Sequence, residues 1–218
     1  MERASLTDKE IAQAEMIRAE TAIVSVQLAT DQMELAIKQS NWEIERAKNF
    51  HNGVYLFVGD IDMRSVTECI EILSVWDRLR PNKPIYIAFS SSGGDVMSGM
   101  ALFDFISSLR RAHVVTTAVL GYGFSMAGVL LQAGTQRVIG AESYLLIHEI
   151  SGMAAGKIGD MEDSTAFMNK VNERIIQIFV TRSAGKMTRA MFKKNWMRKD
   201  WWLDSAELLK YGFVDVVL

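Results

Sequence analysis

An α/β fold preceded by a long helix is what the sequence predicts, on three observations. Short apolar, β-rich runs alternate with helical patterns from Gly53 onward. Two of the junctions between a strand and the following helix carry glycines. The first 52 of the 218 residues contain neither Gly nor Pro. Alternation of this kind is the mark of α/β chains, and a length near 200 residues with 49% hydrophobic residues suffices for one sizeable core.

Residues 1–52 are rich in Ala, Glu, Gln, Ile, Lys and Met, mostly strong helix formers, and predict one long helical extension. Thr7 followed by Glu10 fits a capping box and sets its start near Asp8. Ile17, Val24, Leu28, Leu35 and Trp42 fall in a narrow arc at about 100° per residue, a thin apolar stripe suited to packing on its own domain or on a neighbouring subunit. The opposite face mixes acidic and basic residues, unlike the basic face of a membrane-surface helix.

Residues 53–218 form the second domain. Its predicted strands are Val54 to Val58, Ile85 to Phe89, Val114 to Leu120, Tyr144 to Ile147 and Val214 to Leu218. The predicted helices are Val66 to Leu79, Val96 to Arg110, Met126 to Ala133, Met161 to Ser183 and Ser205 to Tyr211. Asn82-Lys83-Pro84 turns the chain into the second strand, and Tyr211-Gly212 stops the last helix.

Bulk composition excludes several functions. A net charge of −2 offers no basic footprint for nucleic acid or an anionic membrane. Cys69 is the single cysteine, so no intrachain disulfide forms and a reducing compartment suits the chain. Residues 1–31 lack an apolar run of signal-peptide length, and no later stretch reaches about 18 uninterrupted apolar residues. The expected location is the cytoplasm.

Two junctions could carry chemistry. In Ser90-Ser91-Ser92-Gly93-Gly94-Asp95, adjacent glycines let backbone N–H groups approach a ligand closely. The segment lacks the spacing of a phosphate loop or a dinucleotide fingerprint, and no nucleotide or other cofactor is expected. The second junction, Gly121-Tyr122-Gly123-Phe124-Ser125-Met126-Ala127-Gly128, places Ser125 at a helix start, beside unpaired N–H groups. Two readings stay open there: a helix-capping serine, or a nucleophile. A nucleophilic serine needs a base, and of His51, His113 and His148 the last has the best place, at the end of a strand. Between Ser125 and His148 stands one acidic residue, Glu142, and the serine segment breaks the G-x-S-x-G elbow, so an α/β-hydrolase is not expected. An acid after His148 has nine candidates: Glu149, Asp160, Glu162, Asp163, Glu173, Asp200, Asp204, Glu207 and Asp215.

Read together, these segments resemble the ClpP family of self-compartmentalising serine peptidases, from about Gly53 to Leu218. The matching motifs are Ser91-Ser92-Gly93-Gly94, Gly121 to Met126, Leu146-Ile147-His148, Asp200-Trp201-Trp202-Leu203-Asp204-Ser205-Ala206, and Tyr211-Gly212-Phe213-Val214-Asp215. The resemblance implies Ser125 as nucleophile, His148 as general base and Asp200 as orienter of the imidazole, with the N–H groups of Gly93 and Met126 as the oxyanion hole. It implies a crotonase-like stack of ββα units, polypeptide substrates, and a homo-oligomeric barrel of stacked, usually seven-membered rings, with Met161 to Ser183 reaching between rings. Ser92 stands where the family has Pro, Ala127-Gly128 reverses its Gly-Ala, and Glu149-Ile150 replaces its Gln-Pro. The long extension points to an unfoldase or scaffold partner, the latter as in a phage-type head-maturation protease. Alternatives are a crotonase-type acyl-CoA enzyme, a Ser-Lys enzyme using Lys157 or Lys170, and a noncatalytic ring subunit.

Overall fold

The computed structural model describes residues 8–218, and their side chains except at residues 8 and 41–48. Thr7, and with it the expected capping box, lies outside the described residues, as does the side chain of Trp42. Helix α1 runs from Asp8 to Asn52. Ile17, Val24, Leu28 and Leu35 of the stripe are exposed. The hydroxyls of Thr21, Ser25 and Thr30 donate back to the carbonyls of Ile17, Ala22 and Val26, so these poor helix formers are satisfied within the rod.

The remainder, Asn52–Leu218, is a compact unit by itself. In order it contains β1 (Val54–Val58), α2 (Met63–Leu79), β2 (Ile85–Ser91), α3 (Val96–Leu109), β3 (Val115–Phe124), α4 (Met126–Leu131) and β4 (Gln136–Ile139). Then come β5 (Tyr144–Ile147), α5 (Ile158–Arg182), α6 (Arg189–Trp196), β6 (Trp201–Leu203), α7 (Ser205–Tyr211) and β7 (Val216–Val217). The strands β1-β2-β3-β4-β7 form a parallel sheet. Strand β3 changes neighbours along its length: Thr116–Val119 pair with β4, and Tyr122–Phe124 pair in parallel with β5. Strand β6 closes this second branch antiparallel to β5. The fold is thus the expected mixed α/β arrangement with a long N-terminal helix.

The differences from expectation are local. Helix α2 starts at Met63 because Asp62 and Ser65 form a reciprocal capping box, and α5 starts at Ile158 because the Asp160 carboxylate accepts from Lys157 N–H. Strand β3 extends past Gly121 to Phe124, since the β5 branch supplies a second partner. Strands β4 and β6 and helix α6 were not anticipated. They are too short for periodicity to show, and Gln136 and Arg137 make β4 look polar. Strand β7 is reduced to two residues.

An aromatic group pins the C-terminal elements. Phe192 packs on Phe179, Trp196, Trp201 and Phe213 at centroid separations of 5.5, 5.7, 5.5 and 6.1 Å. Each such pair contributes about 0.5–1.5 kcal/mol beyond burial, and the group anchors β6, and with it the segment before Trp201, against α5.

Buried Arg137 is the polar counterpart of that anchor. Its Nε donates to Asp215 Oδ2 (3.0 Å), and its Nη1 donates to Gln132 Oε1 (2.9 Å), Arg182 O (3.0 Å) and Gly212 O (2.8 Å), with a further ion pair from Nη2 to Asp215. Burial works to raise the Asp215 carboxyl, but the hydrogen bonds and charge of Arg137 outweigh it and hold the group below its ordinary value of 3.8. The pair's contribution is therefore complete above that value and is lost as pH falls through the lower folded value. Arg137→Met is expected to cost about 3 kcal/mol at neutral pH, the low end for a broken buried pair because Asp215 is 38% exposed. Urea midpoints at pH 7 and pH 3 check this, with the gap to the wild type narrowing at the lower pH.

No helix among the described residues is long and apolar enough to cross a membrane.

Candidate active site

Strand β3 ends at Phe124 and α4 begins at Met126, so Ser125 alone makes the turn between them. Its backbone sits at φ 55 and ψ −121, a conformation that costs a non-glycine residue on the order of 1–3 kcal/mol. Two hydrogen bonds hold it there: Ser125 N–H donates to Leu146 O at 2.7 Å, and Gly128 N–H donates to Ser125 O at 3.1 Å. The hydroxyl makes no capping bond to the helix. Of the two readings of Ser125, the capping serine therefore fails. A strained turn holds its half-buried hydroxyl free of backbone partners.

Gly93 lies against this turn. At φ 95 it occupies backbone space that side chains rarely adopt, and a Cβ placed on it would stand 2.7 Å from both Phe124 O and Ser125 Cβ, and 3.1 Å from Met126 N. Only glycine brings these two main chains so close. Met126 N–H, the first of α4, is one of the donors that a helix start leaves without an intrahelical acceptor. Gly93 N–H donates to Ser91 Oγ at 3.1 Å. Gly93→Ala is expected to lower kcat by about 10²-fold or more, because the added methyl pushes one donor away from the serine. Steady-state hydrolysis beside a thermal melt separates that loss from unfolding.

His148 follows β5 directly and lines a narrow recess with Gly94, Ser125, Met126, Ile150 and Ser151. It also lines a shallow depression with Glu149, Arg198, Lys199 and Asp200. The sheet explains why. The β5–β6 register pairs Leu145 with Leu203, Leu146 with Trp202 and Ile147 with Trp201, and His148 and Asp200 are the residues that flank the last of these pairs. Among the described residues no hydrogen bond joins the side chains of Ser125, His148 and Asp200. Ser125 and His148 share one hollow, and His148 and Asp200 share the other.

Most of the other acids have structural partners. Asp215 belongs to Arg137, and Glu173 takes Lys193 Nζ (2.6 Å) and Arg189. Asp160, Asp204 and Glu207 serve helix starts. Glu149 accepts from Arg198 N–H at 2.7 Å, tying the residue after His148 to the segment before Asp200. Glu162 and Asp163 lie exposed on α5. His113 is buried, its Nε2 2.9 Å from Asp77 Oδ1 and its Nδ1 2.8 Å from Lys83 O, where it ties α2 to the turn before β2. Lys157 and Lys170, bases of the Ser-Lys alternative, line neither hollow.

Two features of the site were not legible beforehand. Ser91 Oγ meets Gly93 N–H only because of the local turn. Ser92 Oγ donates to Asp60 Oδ1 at 2.7 Å across 32 positions of sequence, with no pattern in the sequence to announce it.

Comparison with known proteins agrees with these motifs. A family model described as Clp protease matches residues 37–218, beginning within α1, earlier than the Gly53 boundary of the motifs. ATP-dependent Clp protease proteolytic subunit 1 of Protochlamydia amoebophila is 32% identical over 168 residues, covering 75% of this chain and 79% of the relative. ATP-dependent Clp protease proteolytic subunits of Streptococcus mutans and Bacteroides fragilis are 26% identical over 169 residues and 33% identical over 149. They cover 76% and 65% of this chain, and 84% and 67% of themselves.

Proposed function

Because the chain belongs to the Clp protease family and is a serine-type peptidase, we propose that it cleaves unfolded or flexible polypeptides with a triad of Ser125, His148 and Asp200, inside a homo-oligomeric chamber. The observation that carries this reading is the double position of His148. It lines one hollow with Ser125 and the other with Asp200, next to the last pair of the β5–β6 ladder.

In the proposed reaction His148 takes the proton from Ser125 Oγ as that oxygen attacks the scissile carbonyl carbon. Asp200 holds the imidazole and balances its charge. The negative charge that develops on the carbonyl oxygen meets the N–H groups of Gly93 and Met126. Gly93 N–H must then leave Ser91 Oγ, an exchange favoured because an oxyanion is a stronger acceptor than a hydroxyl. Collapse breaks the C–N bond, His148 delivers the proton to the departing amine, and water repeats the sequence on the acyl-enzyme. The side chains tighten when substrate is seated, as hydrogen bonds in empty active sites commonly do. No step consumes ATP.

The exposed apolar side chains Ile17, Val24, Leu28 and Leu35 of α1 support a role of the extension in holding an unfoldase or scaffold partner. Exposed Ile158, Met161 and Phe167 on α5 support contacts between subunits. The cytoplasm is the proposed location.

The test is covalent. Incubated with a fluorophosphonate, the protein acquires one adduct, on Ser125 by peptide mapping. An unlabelled Ser125, with labelling elsewhere or none, sinks the triad.

A further inference from the structure

The segment Gly59–Asp62 runs beside the turn Ser90–Asp95 and holds it by a series of rungs. Gly59 N–H donates to Ser90 O (3.1 Å), Ile61 N–H to Gly93 O (2.8 Å) and Asp95 N–H to Ile61 O (2.7 Å), and Ile61 and Gly94 form an isolated bridge. Between the first and second of these rungs the backbone makes no bond. There the side chains make one instead: Ser92 Oγ donates to Asp60 Oδ1 at 2.7 Å. Both residues are exposed, so no burial holds them together.

The position of that rung matters. The peptide unit joining Ser92 to Gly93 carries the Gly93 N–H, and a rotation of that unit would swing the donor away from Ser125. Gly93 and Gly94 have positive φ and no side chains to resist rotation. The strand pairing Ser91↔Gly123 fixes the chain before the unit, and Ile61 fixes it after. Gly93 N–H is itself held by Ser91 Oγ at 3.1 Å in the empty site, and once that donor turns to an oxyanion the Ser92 rung remains.

We propose that Asp60 and Ser92 are positioning residues that hold the Ser92–Gly93 peptide beside the Ser125 turn, so that its N–H, donated to Ser91 Oγ in the empty site, can pass to the oxyanion. This rests on the reading of Gly93 as an oxyanion donor. A proline at position 92 would restrict the same turn covalently, by fixing φ there near −65°.

The experiment compares variants of the full chain for hydrolysis of a fluorogenic peptide and for fluorophosphonate labelling. Asp60→Ala and Ser92→Ala are each expected to lower kcat about five- to tenfold with KM unchanged, since the lost contact acts on the transition state. The double variant should be no worse than either single one. Asp60→Asn keeps an acceptor oxygen and is expected near the wild type, and adding Ser92→Pro to Asp60→Ala should restore kcat. Single variants with wild-type kcat overturn the proposal, whatever their melting temperatures. Additive losses, or no rescue by Ser92→Pro, also overturn it. A wild type that neither hydrolyses peptide nor labels at Ser125 refutes the triad instead, which keeps the two failures apart.

Discussion

Ser125→Ala is expected to abolish peptide hydrolysis, with a fall in kcat on the order of 10⁶-fold, and to leave the unfolding midpoint unchanged. The pairing of these outcomes is what the geometry dictates. A serine that caps a helix loses about 1 kcal/mol when changed to alanine, and Ser125 makes no such bond. Its strained φ of 55 is borne equally by alanine, because the cost comes from the Cβ that both residues have. Single-turnover assays with an activated ester, together with urea titrations of both proteins, measure the two quantities. A loss of stability with hydrolysis retained would return Ser125 to a structural role.

Asp200→Asn should lower kcat by about 10⁴-fold with little change in KM. The amide keeps the size of the carboxylate. It cannot balance an imidazolium, and it can present an N–H where His148 requires an acceptor. Asp215→Asn is the matched control. It removes a carboxylate of the same kind from the Arg137 cluster, so stability falls while kcat, measured well below the melting temperature, holds. If the two substitutions act alike on kcat, the register argument for Asp200 fails.

These expectations also separate the peptidase from its alternatives. A Ser-Lys enzyme would survive Asp200→Asn and depend on Lys157 or Lys170, neither of which reaches the recess around Ser125. A crotonase-type acyl-CoA enzyme would have no use for a histidine placed between a serine and an aspartate, and the family match is to Clp proteases.

Much of the architecture was legible in the amino-acid order. The absence of Gly and Pro before residue 53 marks α1, β-rich runs mark β1, β2 and β5, and Gly212 marks the end of α7. All of these are local signals, set by steric and hydrogen-bonding preferences within about four residues. What escaped was short or polar. Strand β4 contains a buried arginine that Gln132, Asp215 and the carbonyls of Arg182 and Gly212 together make tolerable. Strand β6 has three residues, and Phe192 and Phe213 hold it in place.

The site divides along the same line. The sequence by itself placed Ser125 at a strand-to-helix junction and Gly93 in a turn able to approach a ligand closely, because glycine content and helix starts are written locally. It left Ser125 open between cap and nucleophile, and it left nine acids equal in spacing, with the family motifs implying Asp200. Tertiary structure decided that the hydroxyl caps nothing, since φ at Ser125 is set by the branch of β3 onto β5. It also brought Asp200 to the same hollow as His148, 52 residues away, beside the pairing of Ile147 with Trp201. Sheet register is a contact between distant segments, selected by packing on a shared core, and no periodicity within either segment records it.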